Sequence, residues 1–139
     1  MLYIGVVLQD QCLKVTVLSE SFANLGSKYF YASEARCFYD WLNSHKRNPV
    51  ESCVWYFDDS NFKKCKNILS NFCFDFYCND VYLVCHRKIV NIIQFLYEWA
   101  LHCENYLTFD IDQSLILASS ARLFDSDEFR FYNPDSVKF

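Results

Sequence analysis

The chain begins with two segments whose hydrophobic and polar residues follow the pattern of β-strands. Residues 2–8 are apolar and partly β-branched, and residues 12–18 alternate Leu and Val with Lys and Thr. Because the polar residues 9–11 separate the two segments, we predict a β-hairpin. A polar stretch containing Gly26 then leads to residues 28–32, which have three successive aromatic residues and which we predict to be the third strand of an antiparallel meander.

Two helical patterns follow the predicted meander. Apolar residues at helical spacing predict a first helix that Ser33 caps and that ends near His45. A second helix, capped by Asp59 or Ser60, is predicted to end near Asn71.

Strand patterns lie between and after these two helices. Residues 52–57 form a continuous apolar run, typical of a strand buried on both faces, and residues 74–77 and 81–85 are further strand candidates. A long helix is predicted over residues 87–106 and a short one over residues 110–123. The long helix has more apolar residues than one face needs, which indicates either complete burial or a face shared with a partner.

This order of elements predicts the fold class. A three-stranded antiparallel meander extended by βα units gives an α/β protein with a mixed sheet and helices on both faces. The length of 139 residues and the 53% hydrophobic content suit one core. We expect one domain over residues 1–124, followed by an acidic and aromatic C-terminal tail over residues 125–139.

The charge balance bears on nucleic acid as a partner. Thirteen Lys and Arg against 17 Asp and Glu give a net charge of −4, which is the wrong sign for a protein that neutralises phosphates. Short basic clusters at residues 45–47, 63–66 and 86–88 keep non-catalytic nucleic-acid binding as an alternative. Basic clusters as short as these more often belong to a solvent-exposed face.

The cysteines and the hydropathy bear on localisation. The eight cysteines include no C-x-x-C pair and lie mostly among apolar residues, so we expect reduced thiols and no metal site. No N-terminal signal-peptide pattern occurs, and no apolar run approaches the ~20 residues that cross a bilayer. We therefore predict a cytoplasmic protein without a membrane span.

Residues 5–18, GVVLQDQCLKVTVL, resemble a known family in register and without a gap. They are similar to the opening of DEDD-type insertion-sequence transposases that include the pilin-gene invertase, roughly G-I-D-V-S-K-x-x-L-D-V-A-V-L. Weaker similarities follow in the same order at residues 29–45, 57–62 and 108–118, so the resemblance covers residues 1–123. It implies an RNase H-like, RuvC-like fold.

In that family four carboxylates hold two divalent cations that drive phosphodiester cleavage or transfer. The resemblance carries these positions onto Val7, Phe57, Asp110 and Gln113, so three of the four carboxylates are replaced. It therefore implies a domain that is not an enzyme and holds no metal cofactor.

Two main functions follow from these observations. The preferred one is a catalytically inactive RuvC-like domain that acts as a protein-interaction or assembly module, with a protein partner or a second copy as its occupant. Its interface is predicted at Phe95, Tyr97 and Trp99 of the long helix.

The alternative function is a metal-dependent DNA nuclease or recombinase. Its site would use Mg²⁺ or Mn²⁺ and the remaining acidic residues Asp110, Asp112 and Asp58 or Asp59. Helix capping is the structural interpretation of Asp58, Asp59 and Asp110, since each just precedes an apolar-periodic segment.

Overall fold

The protein is described here over residues 1–102, 112–123 and 129–131 of a computed structural model, and this part forms a mixed α/β fold. The strands are β1 (Leu2–Gln9), β2 (Cys12–Leu18), β3 (Asn24–Phe30), β4 (Cys53–Asp58), β5 (Asp80–Val84) and β6 (Phe129–Phe131). The helices are α1 (Ala35–His45), α2 (Phe62–Asn71), α3 (His86–His102), α4 (Gln113–Ala118) and α5 (Ser120–Leu123).

All six strands belong to one sheet in the order β3-β2-β1-β4-β5-β6. The strands β1, β2 and β3 form an antiparallel meander, β4 pairs in parallel with β1, and β5 pairs in parallel with β4. The helices α1 and α2 are the connections to the two parallel strands, and β6 adds an antiparallel strand from the predicted tail region. The predicted mixed α/β sheet is therefore confirmed.

The sheet separates two hydrophobic layers. Alternate residues of β1 point to opposite faces, so that Val6 packs with α1 and α2 while Val7 packs with α3 and α4. The strand β4 is buried along its whole length, as the continuous apolar run predicted. Among the described residues, no helix has both the length and the apolar character to cross a bilayer.

Gly5 fixes how closely α4 lies against the sheet. A Cβ atom at this position would lie 2.0 Å from the carbonyl oxygen of Ser114 and 2.5 Å from the backbone nitrogen of Ala118. Only a residue without a side chain permits this approach. The α4 backbone therefore rests directly on β1.

The meander differs from its prediction at the third strand. The predicted turn is tight, with Asp10 and Gln11 at φ of 51° and 66°, as a two-residue turn of this kind requires. The third strand was expected at residues 28–32, but β3 pairs with β2 from Asn24 to Phe30. Backbone pairing extends the strand into residues whose local composition indicated a loop.

The predicted caps of the first two helices are wrong. Helix α1 has Glu34 rather than Ser33 at its N-cap, and the Glu34 carboxylate instead accepts from the backbone N–H of Tyr31 at 2.8 Å. Helix α2 begins after Asn61, beyond the predicted caps Asp59 and Ser60. In both cases the chain makes a further turn before it becomes helical.

Residues 74–77, a predicted strand, form a turn instead. The Asp75 carboxylate accepts from the backbone N–H groups of Tyr77 and Cys78 at 2.9 and 3.3 Å, which closes an Asx-turn. The aromatic rings that suggested a strand pack on the core, with Phe74 4.8 Å from the Trp55 ring centroid.

The C-terminal helices differ in their bounds from the prediction. The long helix is confirmed over His86–His102, while the predicted extension to residue 106 lies outside the described residues. The predicted helix over residues 110–123 consists of α4 and α5, and its first two residues also lie outside the described part.

We predict that Gly5→Ala destabilises the fold by roughly 1–3 kcal/mol, because the added methyl group forces α4 away from β1. Urea unfolding followed by circular dichroism measures this loss. Gly26→Ala is the matched comparison, since its methyl group comes no closer than 3.5 Å to a neighbour and only its φ of +156° is unfavourable. Equal losses in the two variants would show that the α4 contact is not the critical one.

Candidate functional site

A cleft of about 270 Å³ opens at the end of β1, beneath the start of α4. It is lined by Val7, Leu8, Gln9, Lys14, Tyr29, Asp112 and Gln113. Two of these residues, Val7 and Gln113, are positions onto which the resemblance carries the metal ligands of the family. The cleft is thus the place to examine for the predicted chemistry.

An ion pair occupies the middle of this cleft. The Lys14 ammonium lies 2.9 Å from Asp112 Oδ2, and the two side chains are only 17% and 22% exposed. The same ammonium lies 5.3 Å from the centre of the Tyr29 ring, which adds a cation–π contact. Tyr29 in turn donates its hydroxyl to Gln9 Oε1 at 3.4 Å.

The ion pair changes the pKa of both partners. Burial alone would raise the pKa of Asp112, but hydrogen bonds from Ser114 and Lys14 and the Lys14 charge outweigh it, so the pKa is lowered. Burial alone would lower the pKa of Lys14, but the hydrogen bond and charge of Asp112 raise it. Both groups are therefore charged across the neutral range.

A chain of three hydroxyl groups connects this ion pair to the sheet, and two of its residues, Thr16 and Ser114, are buried. Ser114 donates its hydroxyl to Asp112 Oδ1 at 2.6 Å, and Thr16 lies 2.6 Å from Ser114 and 2.7 Å from Ser27. Each hydroxyl has one proton, so Ser114 accepts from Thr16, and Thr16 accepts from Ser27. The Asp112 carboxylate thus sets the direction of the hydroxyl hydrogen bonds from Ser114 on α4, Thr16 on β2 and Ser27 on β3.

Asp58 lies at the end of β4, 1% exposed, and its carboxylate is engaged on both oxygens. Oδ1 accepts from the backbone N–H and the hydroxyl of Ser60 at 3.0 and 2.9 Å, and Oδ2 accepts from the Gln113 side-chain amide at 2.9 Å. The amide of Gln113 therefore spans the gap between α4 and β4.

The structure brings some of the predicted site residues together and separates others. Asp58, Asp112 and Gln113 meet near the cleft, whereas Phe57 points to the opposite face of the sheet and packs on Phe62, with ring centroids 5.1 Å apart. Side chains alternate along a strand, which places Asp58 rather than Phe57 on the α4 side. Asp110 lies outside the described residues.

The predicted interface on α3 is described only in part. Phe95 is 65% exposed, and Val90 is also exposed, while Ile89 is buried against the sheet. The side chains of Tyr97 and Trp99 lie outside the described part of the structure.

The sequence analysis missed Lys14, which lines the cleft, and also Thr16 and Ser114, whose hydroxyl groups connect Asp112 to the sheet. A signal for two of them was present, because Lys14 and Thr16 are the polar members of the alternating strand β2 and so share one face. In the structure α4 covers this face, with Ser114 against Thr16 and Asp112 against Lys14. No local pattern pointed to Ser114.

The donor set of the cleft does not fit the two divalent cations that the resemblance implies. Val7 has no ligand atom, Gln113 uses its amide to donate to Asp58, and Lys14 places a positive charge beside Asp112. Within residues 1–102, 112–123 and 129–131, no group of three or more His, Cys, Asp or Glu side chains is placed to hold a metal ion.

No protein-family model matches the chain, and no curated protein matches it significantly in sequence.

We predict that the Lys14–Asp112 pair makes the protein sensitive to acid. The folded-state pKa of Asp112 is below its usual value of 3.8, so the pair stabilises the fold above that pH and is lost as pH falls through the lowered pKa. Between about pH 7 and about pH 3, the wild type should lose more unfolding free energy than Asp112→Asn does.

Urea titrations at both pH values provide this measurement. Asp40→Asn is the control, because Asp40 is exposed and lies 3.9 Å from Arg36; it should behave as the wild type does. The ion pair would not contribute as described if Asp112→Asn had the same pH dependence as the wild type.

Proposed function

We propose that this chain is an RNase H-like domain without nuclease chemistry that serves as a protein-interaction or assembly module. The observation that carries the proposal is the Lys14 ammonium 2.9 Å from Asp112 in the cleft. The lysine ammonium neutralises the carboxylate as a metal cation would, but it offers no coordination position for water or substrate.

The topology supports the first half of this proposal. An antiparallel meander followed by two parallel βα units, with helices on both faces of the sheet, is the arrangement that the resemblance implies. The cleft lies where β1 and β2 meet the start of α4, and its lining contains Val7 and Gln113; the Gln113 amide also reaches Asp58 on β4. The family positions on β1 and α4 are thus neighbours in space.

The exposed side of α3 supports the second half. A phenylalanine that is 65% exposed on a helix already anchored by Ile89 has no role in the described core. Burying such a side chain against a partner removes apolar surface from water. We place the interface at Phe95, with a protein surface or a second copy as the occupant.

The thiols support an intracellular setting. The described cysteines are all free thiols, and Cys12, Cys53 and Cys65 are buried. Buried free cysteine behaves as a small apolar residue, and thiols persist in reducing compartments. We therefore propose a cytoplasmic location.

We predict that restoring carboxylates at the replaced positions creates a divalent-cation site. The variant Val7→Asp/Gln113→Asp places two new carboxylates near Asp58 and Asp112, so Mn²⁺ should raise its melting temperature and bind measurably by calorimetry. The wild type should show neither effect, nor Mn²⁺-dependent cleavage of branched or single-stranded DNA.

The matched control is Val7→Asn/Gln113→Asn, which has the same size without the charge and should not respond to Mn²⁺. If the double Asp variant does not fold, Gln113→Asp alone leaves β1 unchanged and adds a carboxylate beside Asp58. Absence of Mn²⁺ binding in the folded Asp variants would reject the RNase H-like assignment. Mn²⁺-dependent cleavage by the wild type that Asp112→Asn abolishes would support the nuclease alternative.

We predict that Phe95→Glu removes the association of this domain with its partner. A charge at the centre of an apolar contact stays unpaired there, so self-association by sedimentation equilibrium, or retention of a defined partner, should fall about tenfold or more. Gln94→Glu is the control, because it adds the same charge at the adjacent exposed position and should bind normally. If Phe95→Glu associates as strongly as the wild type does, the proposed interface is rejected.

A further inference from the structure

The strand β3 forms one edge of the sheet, and no described strand pairs with its outer side. At the other side of the sheet the short strand β6 covers the edge of β5. β3 is seven residues long, and five of these residues are exposed. An edge of this length presents a row of backbone N–H and C=O groups that another strand can pair with. The edge of β3 therefore requires an occupant or a protecting feature.

The tight turn between β1 and β2 determines which backbone groups of β3 face outward. Gln9 and Cys12 flank this two-residue turn and form a hydrogen-bonded pair. Hydrogen-bonded and non-hydrogen-bonded pairs alternate from there, so Thr16 bonds to β1. Ser27, the partner of Thr16 on β3, therefore directs its N–H and C=O away from β2, and so does Tyr29.

The side chains agree with this alternation. Side chains of a non-hydrogen-bonded pair lie closer together than those of a hydrogen-bonded pair, and the Thr16 and Ser27 hydroxyl oxygens are 2.7 Å apart. In the part of the chain that the structure describes, no group from outside the sheet hydrogen-bonds to the backbone of Ser27 or Tyr29. These N–H and C=O groups can therefore pair with another strand.

The middle of β3 lacks the features that usually protect an edge strand. The strand contains no proline, and its bulge lies at its N-terminal end, opposite Val17 and Leu18. Lys28 is its only charged residue. The Lys28 ammonium lies 5.7 Å from the centre of the Phe30 ring, so it is drawn toward the C-terminal end of the strand. The central backbone groups therefore stay open.

We propose that a second copy of this chain pairs with the β3 edge in the antiparallel direction, with a two-fold axis at Ser27. One sheet then continues through both copies. Ser27 is the midpoint of Asn24–Phe30, so this register pairs the whole strand. The outward N–H and C=O groups of the two Ser27 residues bond to each other there. Such an interface uses the same surface on both copies and closes the assembly at a dimer.

The side chains of β3 are self-complementary in this register. Leu25 and Tyr29, 39% and 45% exposed, lie opposite each other across the interface, which removes apolar surface from water. Lys28 lies opposite Gly26, and each ammonium is drawn away from the axis along its own strand. An axis at Lys28 would instead place the two lysines directly opposite each other, which is unfavourable. Charge therefore favours the axis at Ser27.

Opposite charges at the axis test this register. Ser27→Lys and Ser27→Glu each place two like charges opposite each other, so each should weaken dimerisation of the full chain severalfold in sedimentation equilibrium at low salt. An equimolar mixture of the two variants should recover the dimer, because a lysine then lies opposite a glutamate. Ser27→Ala is the matched control, because it removes the same hydroxyl group without adding a charge, and it should dimerise as the wild type does.

Hydrogen exchange of the wild type gives a second measurement that needs no variant. The backbone N–H groups of Ser27 and Tyr29 should exchange more slowly as the protein concentration rises, because pairing with the second copy engages them. This measurement decides the proposal if the charged variants do not fold. Exchange of these two groups that is independent of concentration while dimers form would place the dimer interface elsewhere and overturn the proposal.

Three further results would overturn the proposal. A wild type that stays monomeric up to millimolar concentration would leave the edge to a strand of a different protein. Folded Ser27→Lys that dimerises as the wild type does would exclude this edge, and a mixture that fails to recover the dimer would exclude this register. The proposal is independent of α3, since Phe95→Glu leaves β3 unchanged. Dimers through β3 should persist in that variant, and any further association lost there belongs to α3.

Discussion

The contact between Gly5 and α4 brings together the polar side chains around the cleft at the carboxyl end of β1. Because Gly5 has no Cβ atom, the α4 backbone can lie directly on β1. That position places Ser114 against Thr16 and places Asp112 within reach of Lys14. The polar chemistry of the cleft is thus a consequence of one residue without a side chain.

The same contact makes the polar network cooperative. Ser114 stabilises the Asp112 carboxylate by donating both its hydroxyl and its backbone N–H. Because the Ser114 hydroxyl proton is donated to Asp112, the Ser114 oxygen accepts the hydroxyl proton of Thr16. Since these groups are buried, loss of any donor leaves an acceptor without a partner. A network of this kind rigidifies its surroundings, whereas a catalytic metal site needs carboxylates that are free to coordinate.

The sequence predicted the architecture more completely than the site. Strong patterns were sufficient for β1, β2, β4 and α3, because burial on one or both faces leaves a periodic signal. β3 was misplaced because its pairing with β2, not its composition, determines where it begins. Asp58, Asp112 and Gln113 were among the candidate residues, but the contacts of Gln113 with Asp58 and of Lys14 with Asp112 depend on how a distant helix docks. Sequence spacing contains no information on that docking.

The buried carboxylates at the two ends of the sheet differ in their hydrogen bonding. Asp58, 1% exposed, receives three hydrogen bonds from Ser60 and Gln113, so its charge is compensated within the fold. The Glu51 side chain, 5% exposed, has only ion pairs at 3.8 and 3.9 Å on one oxygen. Burial costs a carboxylate its hydration in both places, yet only at Asp58 do the described residues replace it with hydrogen bonds. The Glu51 carboxylate is therefore balanced by the charges of Arg47 and the Met1 amino group rather than by hydrogen bonds.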